Sequence, residues 1–258
     1  MPKIYKMRDK TDKFTVQKEN IPNLPFRMIA VGSSGSGKTS TAIGNLLLRS
    51  EFYLNDFLPE NIFIFTGSKG DRKIMTVKEQ LDIPESNIII GFHEEVVRTI
   101  YDMVVDEYND NLKTGQKPNQ VLFIFDDLGY TNRLCIGRKK DDVMSLLYSN
   151  GRKYLVSTLT LVQKHSQLAT VIRNNTSAAM FWNCNNKELE LISDDFNFLK
   201  GKGNKQRFHD MFRKLTENDK HDFMVVDLSK KHIYRNKDFQ HICLCEGNKN
   251  CCGGLKLD

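Results

Sequence analysis

A glycine-rich motif near the N-terminus constrains the fold of this chain more than any other feature. It fits the pattern G-x-x-x-x-G-K-[ST] of the phosphate-binding P-loop and comprises Gly32, Ser33, Ser34, Gly35, Ser36, Gly37, Lys38 and Thr39. A short apolar segment, 26–31, precedes the motif, and apolar residues recur at helical spacing over 41–48. A strand, a glycine-rich turn and a helix are the context in which this motif works. The sequence therefore predicts a phosphate-binding strand–loop–helix unit.

The residue types of the motif suit an anionic ligand. Glycines let successive backbone N–H groups point inward, and the N-terminus of the following helix adds free donors and the positive end of a dipole. We expect Lys38 to reach the β- and γ-phosphates of ATP, and the Thr39 hydroxyl to ligate Mg²⁺. The predicted nucleotide-binding set covers residues 32–40 and so includes Ser40. The alternative is an ordinary Gly/Ser loop before a helix.

A second motif lies further along the chain. The continuous apolar run 121–125 predicts a buried central strand, and it ends in Asp126 and Asp127. Adjacent carboxylates at the end of a buried strand are costly unless they handle a cation or a proton. In P-loop NTPases an Asp at this Walker B position helps to hold Mg²⁺, which is the role expected for Asp126. We expect Asp127 to polarise the attacking water, a role usually taken by Glu, with Glu94 or Glu95 as substitutes. A strand that runs into an acidic turn is the alternative interpretation.

The other apolar segments predict strands that alternate with helices. Strands are expected over 61–66, 87–90, 154–162 and 178–182, helices over 94–108, 143–147, 187–194 and 205–216, and a hairpin over 222–228 and 232–235. Such alternation predicts an α/β fold, a mainly parallel sheet with helices on both faces.

The position of one strand refines this fold class. The strand at 61–66 comes between the P-loop helix and the Walker B strand. This suggests the division of P-loop NTPases in which a strand is inserted between the two Walker strands. Members of that division place a polar residue at the end of the strand after Walker B, here Gln163. We expect its amide to contact the γ-phosphate or the attacking water, and an ordinary strand-end Gln is the alternative.

Size and composition fit one α/β domain with a small appendage. The chain has 258 residues, is 40% hydrophobic and carries a net charge of +6, a mild bias toward a polyanionic partner. We expect an N-terminal arm over 1–20, a P-loop ATPase domain over 21–215 and a C-terminal appendage with a hairpin and a Cys-rich tail over 216–258. No apolar run is long enough to span a membrane, and no signal-peptide pattern is found. An intracellular, soluble protein is therefore expected.

Six cysteines are present, and four of them cluster near the C-terminus. They are Cys135, Cys184, Cys243, Cys245, Cys251 and Cys252. Reduced thiols are expected for an intracellular ATPase. The cluster, with His241 beside it, lacks a standard zinc-finger spacing. A thiol-rich tail is the interpretation we favour, and a zinc site is the alternative.

Five segments taken together carry a family resemblance. They are 26–39, 123–129, 151–152, 161–163 and 200–205, and they occur in order within about 21–215. The Walker motifs are unspecific, whereas the paired Asp before Leu-Gly, the Gly-Arg pair and the strand-end Gln are moderately specific. With these features the chain resembles the poxvirus-type genome-packaging ATPases of the FtsK–HerA superfamily, found in large DNA viruses, virophages and related elements. For the last forty residues we can name no counterpart in this group.

The resemblance implies an oligomeric ring ATPase that uses ATP and Mg²⁺ to move double-stranded DNA into a preformed capsid. It implies a capsid vertex or capsid protein as a partner, and a location in the viral factory or cytoplasm of the host cell, with virion association left open. In such rings an arginine of one subunit completes the next subunit's site and stabilises charge on the transferring phosphoryl group. Arg152 matches this arginine and Arg173 is its rival. For each, a surface ion pair is the alternative.

Two basic segments are candidates for contact with DNA. The first is interrupted by glycines and contains Lys200, Lys202, Lys205 and Arg207. Cations on such a run would release counterions from a phosphate backbone. The second contains Arg133, Arg138, Lys139 and Lys140. A solvated charged face is the alternative for both, and no finger or helix-turn-helix pattern supports recognition of particular bases.

Two other functions are also compatible with the sequence. A small-molecule kinase would need a mobile Arg-rich lid, and 133–140 could serve as one. The acidic pair and Gln163 fit activation of water better than transfer to a hydroxyl. A nucleotide-gated scaffold or DNA-loading ATPase that hydrolyses slowly is the other alternative.

Overall fold

The central feature of the computed structural model is an eight-stranded sheet. The described residues are 13–128, 142–231, 233–243 and 255–256. The strands are β1 (Arg27–Val31), β2 (Ile62–Thr66), β3 (Ile88–Ile90), β4 (Val121–Asp126), β5 (Val156–Val162), β6 (Ala178–Trp182), β7 (Phe223–Asp227) and β8 (Tyr234–Arg235). Their order is β3-β2-β4-β5-β1-β6-β7-β8. The first six strands are parallel, and β7 and β8 add an antiparallel edge.

Helices connect the parallel strands. A π-helical segment, Thr39–Asn45, continues into α1 (Leu46–Leu48), and the others are α2 (Arg72–Leu81), α3 (Glu94–Thr114), α4 (Val143–Asn150), α5 (Thr170–Asn175), α6 (Asn186–Phe196) and α7 (Asn204–Thr216). Short 3₁₀ turns lie at Pro59–Asn61, Glu85–Asn87, Gly151–Tyr154 and His165–Gln167. A separate two-stranded parallel sheet pairs β9 (Ile242–Cys243) with β10 (Leu255–Lys256).

Two hydrophobic cores cover the two faces of the sheet. In β4, Phe123 and Phe125 belong to one core, and Leu122 and Ile124 to the other. This follows from the two-residue alternation of a strand that is buried on both faces. Helices α3 to α7 contribute to the first core, and α1 and α2 to the second. The α/β fold expected from the sequence, with helices on both faces, is confirmed.

The strand order identifies which strand is inserted. β5 pairs with both β1 and β4, so it lies between the two Walker strands. The strand predicted at 61–66 is β2, and it pairs with the outer side of β4. The predicted division of P-loop NTPases is therefore right, but the inserted strand is the one that ends next to Gln163.

Some predicted details differ from the structure. The strand expected from Tyr154 begins at Val156, because residues 151–154 form a 3₁₀ turn and Leu155 has a positive φ of 58°. The predicted hairpin is present, and it continues the main sheet beyond residue 215 to Arg235. In the segment expected to be an arm, Val16 forms an antiparallel bridge with Leu24.

The cysteine prediction needs one correction. Cys243 is disulfide-bonded, whereas reduced thiols were expected, and Cys184 is a free thiol. The other four cysteines, Cys135, Cys245, Cys251 and Cys252, lie outside the described residues. Among the residues that are described, no group of three His, Cys, Asp or Glu side chains could hold a metal ion. Within the same part of the chain, no helix is both long and apolar enough to cross a bilayer.

Candidate active site

The P-loop follows β1 directly and is held close to its neighbours. The Gly32 N–H donates to the Val162 carbonyl at 3.2 Å, which ties the loop to the end of β5. A Cβ on Gly32 would lie 2.7 Å from Cβ of Trp182, so this position excludes a side chain. Gly37 has a φ of +95°, in the region that favours glycine. These two glycines let the loop curl before the helix begins at Thr39.

Lys38 lies over the loop with its ammonium group inward. Its Nζ donates to the carbonyl oxygens of Gly32 at 2.5 Å and Ser33 at 2.9 Å. Burial lowers the pKa of Lys38, while Asp126 and Asp127 act in the opposite direction. The cation is thus held beside the backbone N–H groups that would surround a phosphate.

Asp126 and Thr39 form the acidic side of the site. The Thr39 hydroxyl lies 3.4 Å from both carboxylate oxygens of Asp126, which is the last residue of β4 and only 4% exposed. Burial raises the pKa of Asp126 to about 6, helped by Asp127 and Asp71 and opposed by Thr39 and Lys38. A hydroxyl and a buried carboxylate are the hard oxygen ligands that Mg²⁺ takes together with phosphate oxygens. These two residues therefore fit a magnesium ion.

The raised pKa of Asp126 implies that the stability of the folded protein depends on pH. In the folded protein the Asp126 carboxyl group stays protonated up to about pH 6, whereas in the unfolded chain it loses its proton near pH 3.8. Ionisation of Asp126 therefore lowers the stability of the fold as pH rises between these two values. At about 1.36 kcal/mol per pKa unit, the cost above pH 6 is on the order of 3 kcal/mol. We expect Asp126→Asn to raise the melting temperature at pH 7.5 without Mg²⁺ or nucleotide, and the gain to shrink toward pH 4.

The control for this measurement is Asp127→Asn, which changes an exposed carboxylate. It should shift the melting temperature less, because it removes the repulsion from Asp127 but leaves Asp126 buried, and burial is the larger cause of the raised pKa. An Asp126→Asn protein no more stable than the parent at pH 7.5 would contradict the account of the buried carboxylate.

Asp127 and Gln163 meet across the site. Gln163 follows β5, and its Nε2 donates to Oδ1 of Asp127 at 3.2 Å. Asp127 has a φ of 51°, which turns the chain at the end of β4. The loop after Gln163 is fixed because Gln167 Oε1 accepts from the backbone N–H groups of Gln163 and Lys164, at 3.1 and 3.0 Å. The structure thus brings together the strand-end carboxylate and amide singled out from the sequence.

Most of the predicted residues line one cavity with a volume of about 190 Å³. It is lined by Ser34, Gly35, Gly37, Lys38, Thr39, Asp126, Asp127 and Gln163, and also by Thr66, Ser68, Asp71 and Lys73. The remaining predicted loop residues, Gly32, Ser33, Ser36 and Ser40, are not among the lining residues. Glu94 and Glu95 line a different cavity. They are therefore poor substitutes for Asp127.

Sequence reasoning missed the contribution of the segment after β2. Thr66 ends this strand next to Asp126 in the register of the sheet, and Asp71 caps α2 by accepting from the N–H groups of Lys73 and Ile74. The available signal was a Gly/Ser-rich turn after a strand, since turns at the carboxyl ends of parallel strands meet at one edge. His221 was also missed, and its Nδ1 lies 3.1 Å from the Ser36 carbonyl oxygen.

The two candidate arginines have different surroundings. Arg152 lies in the 3₁₀ turn before β5, at the opposite end of the strand from Gln163, and does not line the P-loop cavity. Arg173 on α5 forms an ion pair with Asp195, with 2.5 Å between Nη1 and Oδ2. Asp195 also lies 2.7 Å from Nε2 of the buried His165. The alternative of pairing with a carboxylate therefore holds for Arg173, whereas Arg152 forms no ion pair with any described residue.

The Gly/Lys segment is only partly free to contact a ligand. Lys205 forms an ion pair with Glu190, and Arg207 donates to the Lys200 carbonyl at 3.4 Å. Lys200 and Lys202 are exposed and, among the described residues, have no carboxylate within ion-pair distance. The second basic segment, with Arg133, Arg138, Lys139 and Lys140, lies outside the described residues.

Comparisons with known proteins agree with this geometry. Residues 13–251 match the family described as Poxvirus A32 protein. No curated protein matches the chain in sequence. A structure of the genome packaging NTPase B204 from Sulfolobus turreted icosahedral virus 2, in complex with AMPPCP, aligns with 82% of this chain and 96% of its own, at 11% identity and a TM-score of 0.53. A structure of B204, the DNA-packaging ATPase from Sulfolobus turreted icosahedral virus, aligns with 83% and 97%, at 11% identity and a TM-score of 0.50. At this identity the likeness shows a shared fold.

Proposed function

Since the chain belongs to the poxvirus A32 protein family, we propose that it is an ATPase that packages viral double-stranded DNA into a preformed capsid. One observation carries the proposal for this chain. A single cavity at the carboxyl edge of the sheet is lined by Lys38, Thr39, Asp126, Asp127 and Gln163. These are the groups needed to bind a triphosphate and to direct a water molecule at its terminal phosphorus.

Each group has a separate part in the proposed hydrolysis. The P-loop N–H groups and Lys38 bind the β- and γ-phosphates, and Thr39 and Asp126 would hold Mg²⁺. When bound, the metal ion neutralises charge on the phosphate oxygens. Asp127 accepts a hydrogen bond from the attacking water and orients it. Gln163 is already hydrogen-bonded to Asp127 and orients its carboxylate. The amide of Gln163 also contacts the γ-phosphate.

The role of Asp127 is tested by Asp127→Asn, which removes the charge and keeps the size. General-base catalysis contributes about 10²–10⁴ in rate, so we expect turnover to fall by that factor. The affinity for ATP should stay close to the parent value, because the P-loop is unchanged. Equilibrium binding of ATP and steady-state hydrolysis measure the two effects. Parent-like turnover in this variant would mean that another group positions the water.

The proposal extends to the partners of the ATPase. It includes a homo-oligomeric ring, sequence-independent contact with double-stranded DNA, and a capsid vertex or capsid protein as the docking partner. It places the protein in the viral factory or cytoplasm of the host cell. The net charge of +6 and the two exposed lysines, Lys200 and Lys202, support the contact with DNA.

The double variant Lys200→Ala, Lys202→Ala tests the DNA contact. We expect it to reduce DNA-stimulated hydrolysis and to leave the basal rate unchanged, because both lysines lie outside the P-loop cavity. Each lost phosphate contact should lower the log–log salt slope of DNA binding by about 0.9. Lys205→Ala is the matched control with a smaller expected effect, since Glu190 already balances this charge. An unchanged salt slope in the double variant would remove this segment from the DNA path.

The rate of ATP hydrolysis with and without double-stranded DNA tests the proposed function. We expect duplex DNA of any sequence to raise the rate. Phosphoryl transfer to a nucleoside hydroxyl, with no response to DNA, would favour a small-molecule kinase. Slow hydrolysis unaffected by DNA, together with nucleotide-dependent assembly, would favour a scaffold or DNA-loading ATPase.

A further inference from the structure

A second polar cavity lies at the amino edge of the sheet, away from the P-loop. Its volume is about 460 Å³, and two arginines, Arg27 and Arg152, line it. Arg27 is the first residue of β1, and Arg152 precedes β5, the neighbouring parallel strand. Because the two strands are adjacent and parallel, their amino ends bring both guanidinium groups to the same place.

The other lining residues leave this positive charge unbalanced. Within the described residues they supply amides, hydroxyls and apolar groups, and no carboxylate: Thr15, Gln17, Asn23, Leu24, Pro25, Thr176, Ser177, Leu228 and Ser229. Burial lowers the pKa of the Arg27 guanidinium, and Arg152 lowers it further by repulsion. Two like charges that repel each other across a cavity rich in donors are suited to an anion.

The backbone around both arginines is fixed. Ser177 Oγ accepts from the Arg27 N–H at 2.9 Å, and the Arg27 Nε donates to the Asn175 carbonyl oxygen at 2.5 Å. One edge of the Arg27 guanidinium is thereby anchored. Arg152 sits in a tight turn whose Gly151 is buried against Val156, and its own side chain is exposed. The site thus pairs an anchored, half-buried guanidinium with an exposed one.

The chain's own nucleotide cannot reach this cavity. β1 runs five residues from Arg27 to the start of the P-loop, which at about 3.3 Å per residue separates the two sites by about 16 Å. The subunit's own bound nucleotide is therefore excluded as the source of a phosphate at the amino edge. A planar guanidinium recognises phosphate oxygens in particular, through two parallel hydrogen bonds.

We propose that Arg27 and Arg152 together form a phosphate-binding pocket whose ligand is the terminal phosphate of the nucleotide bound by the adjacent subunit. This inference rests on the proposed function, because it requires a ring in which the amino edge of one sheet faces the P-loop of the next. Arg27 then shares with Arg152 the stabilisation of charge on the transferring phosphoryl group. The backbone phosphate of DNA offers the same chemistry, and the response of the basal and DNA-stimulated rates to Arg27→Gln distinguishes the two sources.

The test uses Arg27→Gln, which removes the charge but keeps a donor for the Asn175 carbonyl. Loss of one preorganised donor typically costs about 10²–10³ in rate, so we expect turnover to fall by about 10² or more. The affinity for ATP, the melting temperature and the oligomeric state should stay close to those of the parent. Arg213→Gln on the surface of α7 is the matched control and should keep the parent rate.

Mixed assemblies identify the subunit in which Arg27 acts. Arg27→Gln subunits mixed with Lys38→Ala subunits should regain activity, because some shared sites then have an intact P-loop and both arginines. Arg27→Gln mixed with Arg152→Ala should not, because every shared site lacks one arginine. The inference would be overturned if activity recovers when Arg152→Ala is mixed with Lys38→Ala but not when Arg27→Gln is mixed with Lys38→Ala. The proposed ring would then remain intact.

Two further outcomes are distinguishable. If neither mixture with Lys38→Ala recovers in confirmed mixed oligomers, the shared site itself is wrong, and the inference fails with it. If Arg27→Gln keeps the parent basal rate and loses only the stimulation by DNA, the pocket binds a DNA phosphate, and the assignment to the nucleotide is overturned.

Discussion

Lys38→Ala is expected to abolish ATP hydrolysis and to weaken nucleotide binding. The Lys38 ammonium is held over the P-loop by the carbonyl oxygens of Gly32 and Ser33, and it is the only cation that the P-loop motif itself supplies. Alanine leaves the loop backbone intact but removes the charge that we propose neutralises the β- and γ-phosphates. Phosphate release under saturating ATP and equilibrium binding of ATP measure the two losses.

Lys69→Ala is the matched control for this substitution. Lys69 is an exposed lysine in the turn after β2 and does not line the cavity, so its loss should leave turnover unchanged. A folded Lys38→Ala protein that hydrolyses ATP at the parent rate would remove the P-loop from the catalytic site.

Arg152→Ala is expected to reduce turnover by about 10³–10⁵, the usual contribution of an arginine supplied to a phosphoryl-transfer site. The residue lies at the opposite end of β5 from Gln163, so it cannot act on its own subunit's nucleotide. Its effect should therefore appear in trans. Mixing inactive Arg152→Ala subunits with inactive Lys38→Ala subunits should restore part of the activity, because some shared sites combine an intact P-loop with an intact arginine.

Arg173→Ala serves as the comparison for Arg152. Arg173 is ion-paired with Asp195, so we expect its loss to affect mainly stability through the buried His165–Asp195 contact. The roles of Arg152 and Arg173 would be reversed if Lys38→Ala subunits restored activity to an inactive Arg173→Ala protein but not to Arg152→Ala.

The parts of the fold that follow from local pattern were predictable. The P-loop, the apolar run of β4 and the paired carboxylates each occupy a few consecutive residues, and their context of strand and turn is equally local. Parallel strands bring their carboxyl ends to one edge. This is why Lys38, Asp126 and Gln163 could be expected together although they are distant in the sequence.

Pairings set by helix packing could not be predicted in this way. The ion pairs of Arg173 with Asp195 and of Lys205 with Glu190 depend on how α5 and α7 lie against α6. A single sequence carries no periodic signal for such contacts. The same limit applies to Arg27, whose position beside Arg152 follows from the spatial order of β1 and β5.

ATP-driven movement along double-stranded DNA can be measured by displacement of a third strand from a triplex placed on a duplex track. We expect displacement that requires ATP, increases with time on tracks of any sequence, and is absent with Lys38→Ala. Normal ATP turnover with the third strand left in place, at a DNA concentration that saturates binding, would contradict it.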